Sequence, residues 1–137
     1  MAINKTSYGT RLMIRLTGKV AREKIDSFKA DAGTVLYFYD EVVVKKCRED
    51  FPFYVANFPI WAQQSNGMLR FSIWAGLREL GIGANMQHYD PGIDDAVKKS
   101  FNVPGNFVLV AQMPFGGIGS EPDPKEKEDI DKRVKLA

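Results

Sequence analysis

The sequence predicts a layered α/β or α+β domain in which a sheet is flanked by helices. Two β-branched and aromatic runs, residues 34–39 and 107–113, read as buried strands. Around them lie about four stretches of helical periodicity, the longest running from Asn57 to about Leu80. Strands alternating with helices in a chain of 137 residues give one layered domain with a moderate core.

Residues 20–32 carry Val20, Ile25 and Phe28 between charges and read as a helix that Gly33 stops. Thr34-Val35-Leu36-Tyr37-Phe38-Tyr39 is the first strand. Asp40 is placed to cap a helix over residues 41–49, although Val42, Val43 and Val44 are adjacent rather than spaced at i and i+4. Phe51-Pro52-Phe53-Tyr54 opens an aromatic connector. Pro59 suits the first turn of the long helix, with Asn57 or Phe58 as the cap and Gly81 as the stop. Bulky residues (Trp61, Met68, Phe71, Trp74 and Leu77) fall on every face of that helix, with small and polar residues interleaved. A helix apolar all round is covered on all sides, which in so short a chain calls for a second subunit over part of it.

Asp90-Pro91-Gly92 is a turn, and residues 93–101 form a short amphipathic helix with Ile93, Val97 and Phe101 at i, i+4 and i+8. Val103-Pro104-Gly105-Asn106 is a second turn. The strand over residues 107–113 is nearly continuous in apolar residues, as in sheets covered on both faces. Residues 120–137 form a charged, proline-containing tail with too few apolar residues to fold alone. Residues 1–19 read as a basic leader and residues 20–137 as the domain.

Apolar residues make up 45% of the chain and charged residues 26%, values ordinary for a globular domain. A net charge of +2 is too small to make nucleic acid the main partner. No run approaches the length of a membrane span. One cysteine, Cys47, leaves no disulfide framework, and one histidine, His88, leaves no histidine-pair metal motif. A reducing, cytoplasmic compartment fits this usage. The acid-free stretch from Met1 to Arg22, with Lys5, Arg11, Arg15 and Lys19, reads as a solvated basic leader, with organelle targeting as the alternative.

Gln87-His88-Tyr89, just beyond the long helix, is the polar and aromatic triplet where a ligand is best met. His88 has no obvious Ser or Cys to activate, so a hydrolytic triad has no support. Cys47 sits among Lys45, Lys46 and Arg48 and reads as a partly buried helix cysteine. Gly116-Gly117-Ile118-Gly119 follows a strand, but Ser120-Glu121-Pro122 continues as loop and opens no helix, so a phosphate cradle is not read there. Trp61, Met68, Phe71 and Trp74 are first of all core, with an aromatic floor for a planar ligand as the other reading.

Taken together, the motifs are collinear with one family from about Val20 onward. They are Ile25-Asp26-Ser27-Phe28-Lys29-Ala30, Gly33-Thr34-Val35-Leu36, Phe51-Pro52-Phe53-Tyr54 and Asn57-Phe58-Pro59-Ile60-Trp61-Ala62-Gln63-Gln64-Ser65-Asn66-Gly67-Met68. They continue with Leu80-Gly81-Ile82-Gly83-Ala84-Asn85-Met86-Gln87-His88-Tyr89 and Ala111-Gln112-Met113-Pro114-Phe115-Gly116. In these the chain resembles the nitroreductase family of flavoproteins, in the branch that includes the fungal and bacterial nitroreductase-like oxidoreductases.

The resemblance implies a three-layer sandwich with a mixed sheet, shortened at its N-terminus, and a homodimer whose interface runs through the 58–80 helix. It implies FMN at that interface, NADH or NADPH as reductant, and nitroaromatics, quinones or related small molecules as acceptors in a ping-pong reaction. It implies that Gln87, His88 and Tyr89 lie beside the flavin ring and that Lys125 contacts its phosphate or pyrimidine edge. Trp61, Ser65 and Asn66 fall on the substrate side. No residue is implied as a catalytic acid or base, because the flavin carries the chemistry. No metal, membrane or nucleic acid enters this reading. The family's N-terminal Arg-Arg-Ser type motif is not recognisable in residues 1–19. A flavin-free protein that keeps the dimer surface is therefore the alternative function.

Overall fold

A single strand, shielded on both sides, holds the domain together. The computed structural model describes residues 2–3, 31–120 and 123–135. Its elements are β1 (Ala2–Ile3), β2 (Gly33–Asp40), α1 (Glu41–Asp50), a 3-10 turn (Pro52–Tyr54), α2 (Asn57–Glu79), β3 (Ile82–Ala84), α3 (Asp94–Phe101), β4 (Phe107–Gly117) and a 3-10 turn (Ile130–Lys132). The expected helix over residues 20–32 and the basic leader fall almost wholly outside the described residues. Asp31 and Ala32 form a bend ahead of β2.

The sheet order is β1-β2-β4-β3, which makes β4 an inner strand. Every described pairing is antiparallel, where the sequence reading expects a mixed sheet. The continuous apolar run of β4 arises from helices on both its faces, not from parallel neighbours. Tyr37 pairs with Ala111 but Phe38 pairs with Leu109, so Val110 is an extra residue in β4. A one-residue bulge reverses the alternation of side chains along a strand. Leu109 therefore turns to one face, and Ala111 and Met113 turn to the other.

Each face has its own core. On one, Tyr37, Ala111 and Met113 pack with Val35 and with Ile73 and Leu77 of α2. On the other, Leu109 packs with Ile93, and with Val97 and Phe101 of α3, beside Leu36, Phe38 and Tyr89. The result is α2, sheet and α3 in three layers, as the α+β expectation requires.

Two boundaries and one strand stand out against the sequence reading. The cap of α2 is Ala56, with no side-chain hydrogen bond, rather than Asn57 or Phe58. The preceding 3-10 turn already approaches helical geometry, so the helix begins one residue early. Strand β3 has no clear sequence signal, since its three residues include Gly83. Strand β4 continues through Pro114 to Gly117 rather than stopping at Met113. Gly116 thus belongs to the strand: a Cβ there would lie 3.2 Å from the Ala32 backbone nitrogen and 3.3 Å from the Asp31 Cα. Gly81, at φ +71°, ends α2 as expected.

Helix α2 is exposed over most of its length, and only Asn66 is buried within it. Phe51, Tyr54, Phe58 and Trp61 form a contiguous aromatic group at its N-terminal end, with ring centroids 5.2–6.1 Å apart. Farther along, Met68, Leu69, Phe71 and Trp74 are exposed. The covering layer expected for an all-round apolar helix is not supplied within the described residues.

Asp40 caps α1 as the sequence predicts. Its carboxylate accepts from the Val42 N–H at 2.9 Å and from Asn106 Nδ2 at 2.7 Å. The Glu41 N–H donates to the Asn106 carbonyl, which ties the cap to the start of β4. The hydrogen bond from Asn106, followed by those from the backbone of Val42 and Val43, outweighs a partial burial effect and holds the Asp40 carboxyl below its ordinary value of 3.8. A lowered pKa contributes stability above the ordinary value and loses it as pH falls through the folded value. Asp40→Ala is expected to lower the melting temperature at neutral pH, with the gap from wild type narrowing as pH drops below 3.8. Thermal melts across pH 2–7 of both chains check this.

Candidate functional site

Extended backbone beyond β3 builds the site. The Asn85 N–H donates to the Pro114 carbonyl at 3.0 Å. Gln87 and Gln112 exchange two backbone hydrogen bonds, at 2.8 and 2.9 Å. The Tyr89 N–H donates to Gln112 Oε1 at 3.1 Å. Successive N–H groups of an extended chain point to opposite sides. Residues 85, 87 and 89 therefore face β4, and the His88 N–H faces away. That N–H has no hydrogen-bond partner among the described residues, and His88 is exposed.

The side chains of the triplet have separate fates. Gln87 is buried and donates from Nε2 to Asn85 Oδ1 at 2.6 Å. Tyr89 packs against the Ile93, Val97 and Leu109 cluster, and burial raises its pKa. His88 Nε2 lies 2.8 Å from an Nη of Arg70. Guanidinium has only donors, so the imidazole Nε2 accepts and its ring proton sits on Nδ1.

Arg70 belongs to a stripe that sequence reading did not single out. Asn66, Arg70, Ile73 and Leu77 follow at spacings of 4, 3 and 4, one face of a helix. Ile73 and Leu77 pack on the sheet, so Asn66 and Arg70 point toward it as well. A charge at such a position was the available signal. Asn66 Nδ2 donates to the Phe38 carbonyl at 3.2 Å, beside the register shift. Asn66 Oδ1, Arg70 Nε and Gln112 Nε2 are buried without partners among the described residues.

The three residues expected on the substrate side do not share a face. Trp61 and Asn66 are five positions apart, or about 140° around the helix. Trp61 is on the open side against Tyr54 and Phe58, Ser65 is exposed, and Asn66 is turned into the sheet. Its amide meets backbone because the irregular register leaves the Phe38 carbonyl available. Lys125 is exposed in the 123–135 segment and makes no ion pair with described residues.

The nitroreductase family profile matches residues 6–117, most of the chain. The chain belongs to the nitroreductase family. It is 33% identical over 106 residues to nitroreductase FRM2 of Saccharomyces cerevisiae, covering 77% of the chain and 54% of FRM2. It spans about half the length of the curated yeast relatives it matches. Nitroreductase CinD from Lactococcus lactis, solved in complex with chloramphenicol, superposes with a TM-score of 0.88 at 36% identity, over all of this chain and 75% of CinD. A nitroreductase with bound FMN from Desulfitobacterium hafniense shares the fold, with a TM-score of 0.61 at 12% identity over all of this chain and 74% of its own. Among the described residues, no helix is long and apolar enough to cross a membrane.

Gln112 organises the triplet from β4, through its backbone to Gln87 and its side chain to Tyr89. Gln112→Ala leaves the Tyr89 N–H without its acceptor and is expected to cost about 1–3 kcal/mol of stability. Urea unfolding of the two chains measures it.

Proposed function

We propose that the chain is an FMN-dependent oxidoreductase that takes hydride from NADH or NADPH and reduces nitroaromatics, quinones or related small acceptors. The observation that carries this reading is the His88 N–H, a donor without a partner among the described residues, on the open side of a segment whose N–H groups at 85, 87 and 89 are tied to β4. A flat ring system with acceptor atoms at one edge suits that donor. The family assignment, the FMN-bound neighbour and the small aromatic compound bound to CinD support the same reading.

When bound, FMN supplies a two-electron carrier that is reduced by the nicotinamide and reoxidised by the acceptor. The chain's own part is to bind and orient. The His88 N–H is the donor that would meet the hydride-accepting edge of the ring, held in place by Gln87 and Tyr89 through Gln112. Lys125 would contact the phosphate or the pyrimidine edge. Trp61 and Ser65 would border the acceptor, with Asn66 fixing the helix that carries them. One pocket serves reductant and acceptor in turn, so the kinetics are expected to be ping-pong.

The proposed assembly is a homodimer through α2. Ile60, Met68, Leu69, Phe71 and Trp74 leave large apolar side chains exposed along one helix, as at protein interfaces. Phe71, 72% exposed, is expected to tolerate Phe71→Glu in the folded protomer but not in the dimer. Sedimentation velocity should show wild type as a dimer and Phe71→Glu as a folded monomer.

The absorbance spectrum of the purified chain after dialysis against FMN tests the cofactor. Flavin bands near one per subunit, with NAD(P)H oxidation that depends on an added nitroarene, are expected. A chain that stays colourless in excess FMN would favour a flavin-free interaction protein instead.

A further inference from the structure

Arg70 is a charged side chain on the sheet-facing stripe of α2, where its neighbours along the helix are Asn66, Ile73 and Leu77. Its guanidinium carries five N–H donors and is never neutral. The contact that the structure provides, at 2.8 Å, is to a ring nitrogen of His88, which brings no negative charge. Arg70 Nε is buried with no partner among the described residues, and no carboxylate there forms an ion pair with the guanidinium. A buried donor atom left without an acceptor is costly, and the natural complement of a guanidinium is a planar anion that accepts two parallel hydrogen bonds. Tyr37 feels the same charge: burial raises its pKa and Arg70 draws it back. The exposed face of the Arg70–His88 pair lies at the residue whose N–H is the free donor of the candidate site.

We propose that Arg70, braced by His88, is an anion-recognition residue that gives this protein a preference for acceptors bearing a carboxylate. The inference rests on the proposed oxidoreductase reading and deepens it by naming the acceptor class. His88 accepts through Nε2 and so fixes the guanidinium in plane, leaving the remaining Nη donors for a carboxylate. It also presents Nδ1–H as a further donor when neutral. Lysine at position 70 keeps the charge but offers no planar fork.

The test compares 4-nitrobenzoate with 4-nitrobenzyl alcohol, matched in ring and nitro group and differing in charge. For wild type, Arg70→Met and Arg70→Lys, the ratio of kcat/KM for the two acceptors is measured with NADH or NADPH. Removing a charge-assisted, bidentate contact is expected to lower the carboxylate-to-alcohol ratio about ten-fold or more in Arg70→Met, with partial recovery in Arg70→Lys. A readout independent of turnover is the displacement of the His88 imidazole 15N resonances on titrating each chain with 4-nitrobenzoate. Saturable shifts in wild type that vanish in Arg70→Met support the proposal, whether or not the chain has taken up flavin. An unchanged ratio and unchanged shifts overturn it. Loss of FMN affinity in Arg70→Met, with both acceptors falling equally, also overturns it and assigns the charge to the cofactor. If wild type takes up no FMN, the parent reading fails on its own, and the imidazole titration still decides whether Arg70 holds the carboxylate.

Discussion

Burial of β4 on both faces is the constraint from which the rest follows. A strand in that position must satisfy two cores, and its bulge at Val110 lets it do so with side chains that a regular strand would send to one side. Leu109 serves the α3 layer, and Ala111 and Met113 serve the α2 layer. The same strand then provides the ladder on which residues 85, 87 and 89 are hung. Core and site are therefore one object. Whatever loosens β4 also loosens the backbone that presents His88.

Helix α2 divides its faces in an unusual way. The inward stripe holds two polar side chains, Asn66 and Arg70, ahead of the apolar Ile73 and Leu77. The outward face holds Trp61, Met68 and Phe71. An isolated protomer would reverse that arrangement, because apolar area gains from burial and buried charge does not. The inversion makes sense if the outward side meets another surface and the inward polar pair faces chemistry rather than core.

Much of the fold was legible because it depends on local rules. Asp40 as a cap, Gly81 as a stop, and the two apolar strands each follow from one residue type in one backbone environment. The antiparallel pairings, the bulge and β3 were not, since they depend on partners distant in sequence. Val110 looks like any strand valine until its opposite residue is known. For the candidate site, the sequence marks the triplet 87–89 as polar and aromatic but does not show the division of labour within it. Nothing in Tyr89 as a letter says that it packs on α3 while its N–H is held by Gln112. Arg70 escaped because interruptions of an apolar helix are easily read as solvent-facing. Its phase relative to Ile73 and Leu77 was in the sequence all along.

The alternation of N–H groups through residues 85–89 has a consequence for how such a site can change over time. At position 88 the main chain and the side chain are addressed to different tasks. The N–H belongs to every amino acid but proline, so the donor survives almost any substitution there. The side chain is thereby released from the main chain's task and takes its contact from the neighbouring helix at position 70. On the proposed reading, a lineage could exchange the pair at 70 and 88 to suit new small molecules without altering the hydrogen bonds to β4. Diversity at those two positions, set against uniformity at 85, 87 and 112, is the sequence signature such a history would leave.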